Sequence, residues 1–140
     1  MNKFAFILSI LLTSSVFAGD CGPNCYQGDI NGDGKADKLE FVIGERSRDN
    51  PAVAALKLKV TRSGTTTLIK AHDKYQKDTT TSEYITMTDS ADIGQEFRMS
   101  VMEGSRLVQL QWHEKEGHFG VATYRILPNG KLVRDSQNGE

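Results

Sequence analysis

The chain has 140 residues, 38% of them hydrophobic, 25% charged and 8% aromatic, with a formal net charge of −1. That length supports one core of modest size. The near balance of 17 basic and 18 acidic residues excludes the basic field that nucleic acid or an anionic membrane surface requires of a partner.

Met1-Asn2-Lys3 opens the chain, Phe4 to Leu12 is apolar, and Ser14-Ser15-Val16-Phe17-Ala18 places small residues before a cleavage point. Residues 1–18 therefore read as a secretory signal peptide. The apolar run is shorter than the roughly 20 residues of a membrane span, and no later segment is a candidate for membrane insertion. A lipoprotein anchor needs a small residue directly before the first cysteine, where this chain has Asp20. The expected product is unanchored, periplasmic or secreted, with one domain over residues 19–140. Loss of Lys3 with the leader would leave 16 basic and 18 acidic residues, a net charge of −2.

Cys21 and Cys25 stand in Cys-Gly-Pro-Asn-Cys. In an oxidising compartment they are expected to pair with each other. So short a loop contributes about 2 kcal/mol through the unfolded chain, and its expected role is to pin the N-terminus. A thioredoxin-type redox pair has two intervening residues rather than three, and it uses a helix start that this segment does not predict.

Beyond the cysteines the dominant pattern is period two, the signature of half-buried strands. A strand is predicted over Lys38 to Ile43, then a charged loop over Gly44 to Pro51. Leu56, Leu58 and Val60 alternate with Lys57, Lys59 and Thr61 in the next strand, followed by a turn at Ser63-Gly64 and a strand over Thr67 to Ala71. His72 to Ser82 lacks an apolar face and reads as a loop. Strands follow at Glu83 to Met87, Phe97 to Val101, Val108 to Trp112, Phe119 to Leu127 and Lys131 to Arg134. Turns are predicted at Glu103-Gly104-Ser105, Glu114 to Gly117 and Pro128-Asn129-Gly130. The expected fold is mainly β, an antiparallel meander forming a small sandwich or a curled barrel-like sheet.

One segment carries a recognisable chemistry. Asp29-Ile30-Asn31-Gly32-Asp33-Gly34-Lys35-Ala36-Asp37 places oxygen-bearing side chains at loop positions one, three, five and nine, with Gly34 at the sharp turn. Calcium takes six to eight oxygen ligands, and alternate side chains of a curled loop point inward to supply them. Asp29, Asn31, Asp33 and Asp37 are the side-chain candidates, and Lys35 would add its main-chain carbonyl. The alternative is a polar turn built on Asn-Gly and Asp-Gly.

The loop resembles two families. Glu40 stands at position twelve, where an EF-hand places a bidentate glutamate, yet the entering segment Cys21-Gly22-Pro23-Asn24-Cys25 does not suit a regular helix. The pattern Asp-x-Asn-Gly-Asp-Gly-x-x-Asp running directly into a strand is more similar to the FG-GAP or VCBS-type calcium loop. That resemblance implies calcium as a structural ion and leaves Glu40 as an additional ligand at most.

Other signals are weaker. His113-Glu114-Lys115-Glu116-Gly117-His118 places its histidines five apart rather than at the helical spacing of a zinc peptidase. On a hairpin, His113 and His118 are expected to face each other across the turn, which permits a metal without supplying a third ligand. Ser63, Ser82, Ser90 and Ser105 lie in turns or polar loops without a nucleophile elbow. Asp89 with Asp92, and Glu114 with Glu116, read as solvated charge, and Trp112 reads as core.

An export signal, a stapled N-terminus and a β-rich body suit a non-enzymatic binding module. Its layout resembles that of periplasmic inhibitors and immunity proteins directed against peptidoglycan hydrolases, which implies another exported protein as partner. Some lysozyme inhibitors present Ser-Gly-x-x-Tyr, but here Ser63-Gly64-Thr65-Thr66-Thr67 lacks the tyrosine. The other classes are a small envelope hydrolase using the His113/His118 hairpin and a structural or adhesive envelope module.

Overall fold

The computed structural model describes residues 19–135. The expected leader, residues 1–18, lies outside that range. The described residues form nine strands: β1 Gly19–Gly22, β2 Cys25–Gly28, β3 Asp37–Arg46, β4 Val53–Lys70, β5 Asp73–Asp92, β6 Arg98–Met102, β7 Leu107–His113, β8 Phe119–Ile126 and β9 Leu132–Arg134. They form two antiparallel meanders, β1-β2-β3-β4-β5 and β6-β7-β8-β9. The described residues contain no helix, and neither sheet closes into a barrel.

Alternation explains the packing. Leu39 and Phe41 of β3 and Leu56, Leu58 and Val60 of β4 present one buried face, against which Val108, Leu110 and Trp112 of β7 and Ala122, Tyr124 and Ile126 of β8 pack. Phe41 meets Phe97 edge-on at 4.9 Å and Trp112 at 6.4 Å. Each buried large apolar side chain contributes roughly 1.5–3 kcal/mol, so this sandwich core is the main source of stability. Ile43, next in the Leu39–Phe41 alternation, is not buried: β3 leaves the core near its end, where its register with β4 shifts, and the side chain is 44% exposed.

Two loop expectations are overturned by β4 and β5. Ser63-Gly64 is not a turn, because β4 runs straight through it, pairing Ser63 with Thr80 and Gly64 with Thr79. Residues 73–82 of the expected His72 to Ser82 loop are strand. The chain reverses instead at Ala71-His72, both with positive φ, 51° and 72°. Such a turn ordinarily carries Asn-Gly, so the usual sequence signal is missing. Thr65, Thr66 and Thr67 opposite Asp78, Lys77 and Gln76 supply β-branched residues rather than an apolar stripe. The expected loop at Gly44 to Pro51 is also shorter, since β3 continues to Arg46.

β3 stops pairing with β4 at Thr61, so residues 62–81 of the β4–β5 hairpin form a two-stranded arm. Leu68 pairs with Tyr75 near its far end, where Ile69 is 70% and Tyr75 46% exposed.

Candidate metal centre

Between β2 and β3 the chain curls through the Asp29 to Asp37 loop. Gly32 and Gly34 adopt φ of 79° and 84°, a conformation that a Cβ disfavours. Asp29 organises the curl by accepting N–H donors from Gly32 at 2.8 Å and Asp33 at 3.2 Å on Oδ1, and from Gly34 at 2.7 Å on Oδ2. Asn31 Oδ1 accepts from Asp33 N at 3.3 Å, and Asp33 Oδ1 from Lys35 N at 2.9 Å.

This winding brings a carboxylate oxygen from each of Asp29, Asp33 and Asp37 within 4.8 Å of one another. Calcium–oxygen distances near 2.3–2.6 Å place ligands on opposite sides of an ion up to about 5 Å apart, so the donor set fits a hard cation. Asp37 is buried, with Oδ2 accepting from Ile30 N at 2.9 Å and Oδ1 from Ser63 N at 2.8 Å. Each Asp37 oxygen accepts one N–H and keeps a second lone pair. The Lys35 ammonium turns away to Asp78 and the Gly64 carbonyl, so only its main chain is left for an ion.

Glu40 is not part of this cluster. It stands opposite Cys25 on β3, with its carboxylate 3.8 Å from Lys38 Nζ. The strand following the loop carries it away from the three aspartates.

The loop is fastened from several sides. Ile30 is buried in the core. Ser63 Oγ donates to the Ala36 carbonyl at 2.9 Å, joining the loop to the root of the arm. Arg62 donates to the Gly130 carbonyl and pairs with Glu83 at 2.9 Å. The Arg106 guanidinium donates to the carbonyls of Ile30, Ile126 and Leu127 at 2.6, 3.1 and 3.1 Å. Arg106 itself has φ of 54°. It was not singled out from sequence, and its only local sign is its position after Gly104-Ser105. Beside it, the Tyr26 hydroxyl donates to Glu103 at 3.2 Å, and burial followed by the Glu103 charge pushes its pKa above the ordinary tyrosine range.

The histidine expectation is corrected by register. His113 pairs with Phe119, their rings 4.3 Å apart, while His118 offers its carbonyl to Glu114 N. Neighbouring strand residues point to opposite faces, so His113 and His118 line separate depressions and are not brought together. Among the serine candidates, Ser63 holds the Asp29 to Asp37 loop, Ser105 donates to Met102, Ser82 meets Thr61, and Ser90 donates to Glu114 at 3.2 Å. Glu114 also receives Trp112 Nε1–H at 2.7 Å and the Thr88 hydroxyl. It lies in the isolated bridge to Ala91 that joins the two sheets, so its neighbours make it a structural clasp.

The Cys21–Cys25 disulfide closes the β1–β2 turn with Cα atoms 5.1 Å apart. Asn24 inside it, with φ of 57°, donates to the Phe97 carbonyl at 3.1 Å and accepts from Met99 N at 3.0 Å. The stapled turn thus reaches across to the edge of the second sheet. Comparison with known protein families, curated proteins and solved structures returns no match.

Proposed function

We propose that this chain is an exported calcium-binding module that acts by contact with another exported protein. The observation that carries the reading is the convergence of Asp29, Asp33 and Asp37 within 4.8 Å on a loop wound by glycines at positive φ. Asp29, Asn31, Asp33 and Asp37, with the Lys35 carbonyl, would hold the ion. The ion would neutralise three carboxylates that otherwise repel one another, and so stiffen the loop.

Its neighbours give that stiffening a consequence. Ser63, Gly64 and Asp78 of the arm all touch the loop, so an ion there would brace the root of the arm. The exposed Ile69 and Tyr75 near the far end suit a protein contact, and a cell-wall hydrolase is the partner class that the layout resemblance implies. The separation of the two histidines gives the hydrolase alternative no joint site.

Thermal unfolding of purified, chelator-treated protein tests the ion. Millimolar calcium is expected to raise the Tm, and Asp33→Ala to abolish the rise. An unchanged Tm in the wild type overturns the assignment. Inhibition of cell-wall hydrolases by the wild type, weakened by Tyr75→Ala, tests the contact role.

A further inference from the structure

A second constellation lies at the opposite end of β7 from the ion loop, on the outer face of the second sheet. Register places Arg98 beside Gln111, Gln111 beside Val121, and His113 beside Phe119, and all five residues share one face by alternation. Phe119 is 71% and Val121 43% exposed. Glu96 reaches in from the segment before β6. Glu96, Arg98, Gln111, His113 and Phe119, with the core residue Trp112 at its floor, line a half-open depression of about 240 Å³, and Val121 stands beside it.

The depression is built rather than incidental. Glu96 Oε1 and Oε2 accept from Arg98 Nε and Nη2, both at 3.1 Å, which fixes the plane of the guanidinium. The backbone between them is held by the Asn24 side chain, which bonds Phe97 O and Met99 N. Trp112 is pinned by Glu114 and lies over Gly120, and the His113 ring supports the Phe119 ring at 4.3 Å.

The chemistry favours a neutral ligand. Arg98 and Glu96 neutralise each other, so the pair presents no net charge to attract a charged ligand. What remains free is an aromatic face, an amide that both donates and accepts, an imidazole, and the spare N–H and carboxylate lone pairs of the ion pair. A pyranose ring has the matching surface. Its weakly positive C–H groups suit the negative face of an aromatic ring, and its hydroxyls both donate and accept. The volume is below the roughly 300–1,000 Å³ of drug-sized sites, which suits one or two sugar rings rather than a protein segment.

We infer that the face formed by Arg98, Gln111, His113 and Phe119, with Glu96 beside it, binds a neutral sugar unit of a glycan. This inference does not rest on the ion or on the arm.

Ligand-observed saturation-transfer NMR on the purified full-length mature chain tests it, with N-acetylglucosamine trimer as the neutral probe and galacturonate and glucosamine trimers as the charged ones. The neutral trimer is expected to bind. Phe119→Ala should weaken it about tenfold or more, Phe119→Tyr should retain it, and Gln111→Ala should weaken it. Both positions are exposed, and a matching far-ultraviolet spectrum and Tm verify the fold of each variant. Tyr75→Ala and added chelator should leave binding unchanged. Absence of saturation transfer from the neutral trimer at about 10 mM, binding of the charged trimers alone, or undiminished binding by Phe119→Ala overturns the inference.

Discussion

Both oxygens of Asp37 accept main-chain N–H groups in surroundings that leave the residue 2% exposed. Asp37→Ala strands the donors of Ile30 and Ser63, at a cost of about 1–3 kcal/mol for each unpaired group. In calcium-free urea titrations we expect a loss of about 2–4 kcal/mol. Asp33→Ala, at an exposed position with one local bond, should lose under about 1 kcal/mol. Equal losses would contradict the buried role of Asp37. Gly120 is set by a different constraint, since a Cβ there would lie 2.0 Å from the Trp112 ring. Gly120→Ala must displace the indole, costing about 1–3 kcal/mol and red-shifting the fluorescence of the chain's single tryptophan. An unchanged emission maximum would show that the ring does not occupy this position in solution.

The arm is the element with the least packing behind it. A two-stranded ribbon alone is marginal in water, and this one is held by threonine-rich pairing, a Gln76–Thr67 side-chain bond at 3.0 Å, and contacts of its root with the Asp29 to Asp37 loop. Its turn works against it, because a non-glycine residue in the left-handed region costs roughly 1–2 kcal/mol and Ala71 and His72 both sit there. Replacing the pair with Asn-Gly, Ala71→Asn with His72→Gly, should slow hydrogen exchange of the arm amides at least about fivefold, equivalent to about 1 kcal/mol. Unchanged exchange would show that opening starts at the root. The threonines explain why the arm outside the predicted Thr67 to Ala71 strand was hidden in the sequence: they suit a strand sterically but mimic a polar loop in any hydrophobicity pattern.

For the whole molecule, the seam between the sheets is closed by polar clasps around the apolar core. Asn24 bonds β6, Tyr26 bonds Glu103, Arg106 ties Ile30 to Ile126 and Leu127, and Glu114 bridges Ala91. The Tyr26 clasp is pH-sensitive. Burial, with the Glu103 charge beside it, raises the pKa of the folded hydroxyl, and a raised folded pKa means that the neutral form is favoured by the fold. Its contribution is therefore complete below the ordinary tyrosine value near 10 and is lost as pH rises through the folded value. We expect Tm to fall in this alkaline window less steeply in Tyr26→Phe than in the wild type. Parallel curves would remove Tyr26 from the alkaline transition.

What was legible in the sequence is what local spacing determines. Leu56, Leu58 and Val60 declare a strand through period two, the cysteines four residues apart pair across one turn, and oxygens at alternate loop positions converge because the glycines let the chain curl. What only the tertiary structure decided depends on pairing between distant residues. Register set His113 against Phe119 instead of His118, carried β4 through Ser63-Gly64 because a partner strand continued alongside, and delivered three carbonyls to Arg106. The Asp29 to Asp37 loop belongs to both levels. Its spacing brings the carboxylates together, while Ser63 and Asp78, which only folding makes its neighbours, join it to the root of the arm.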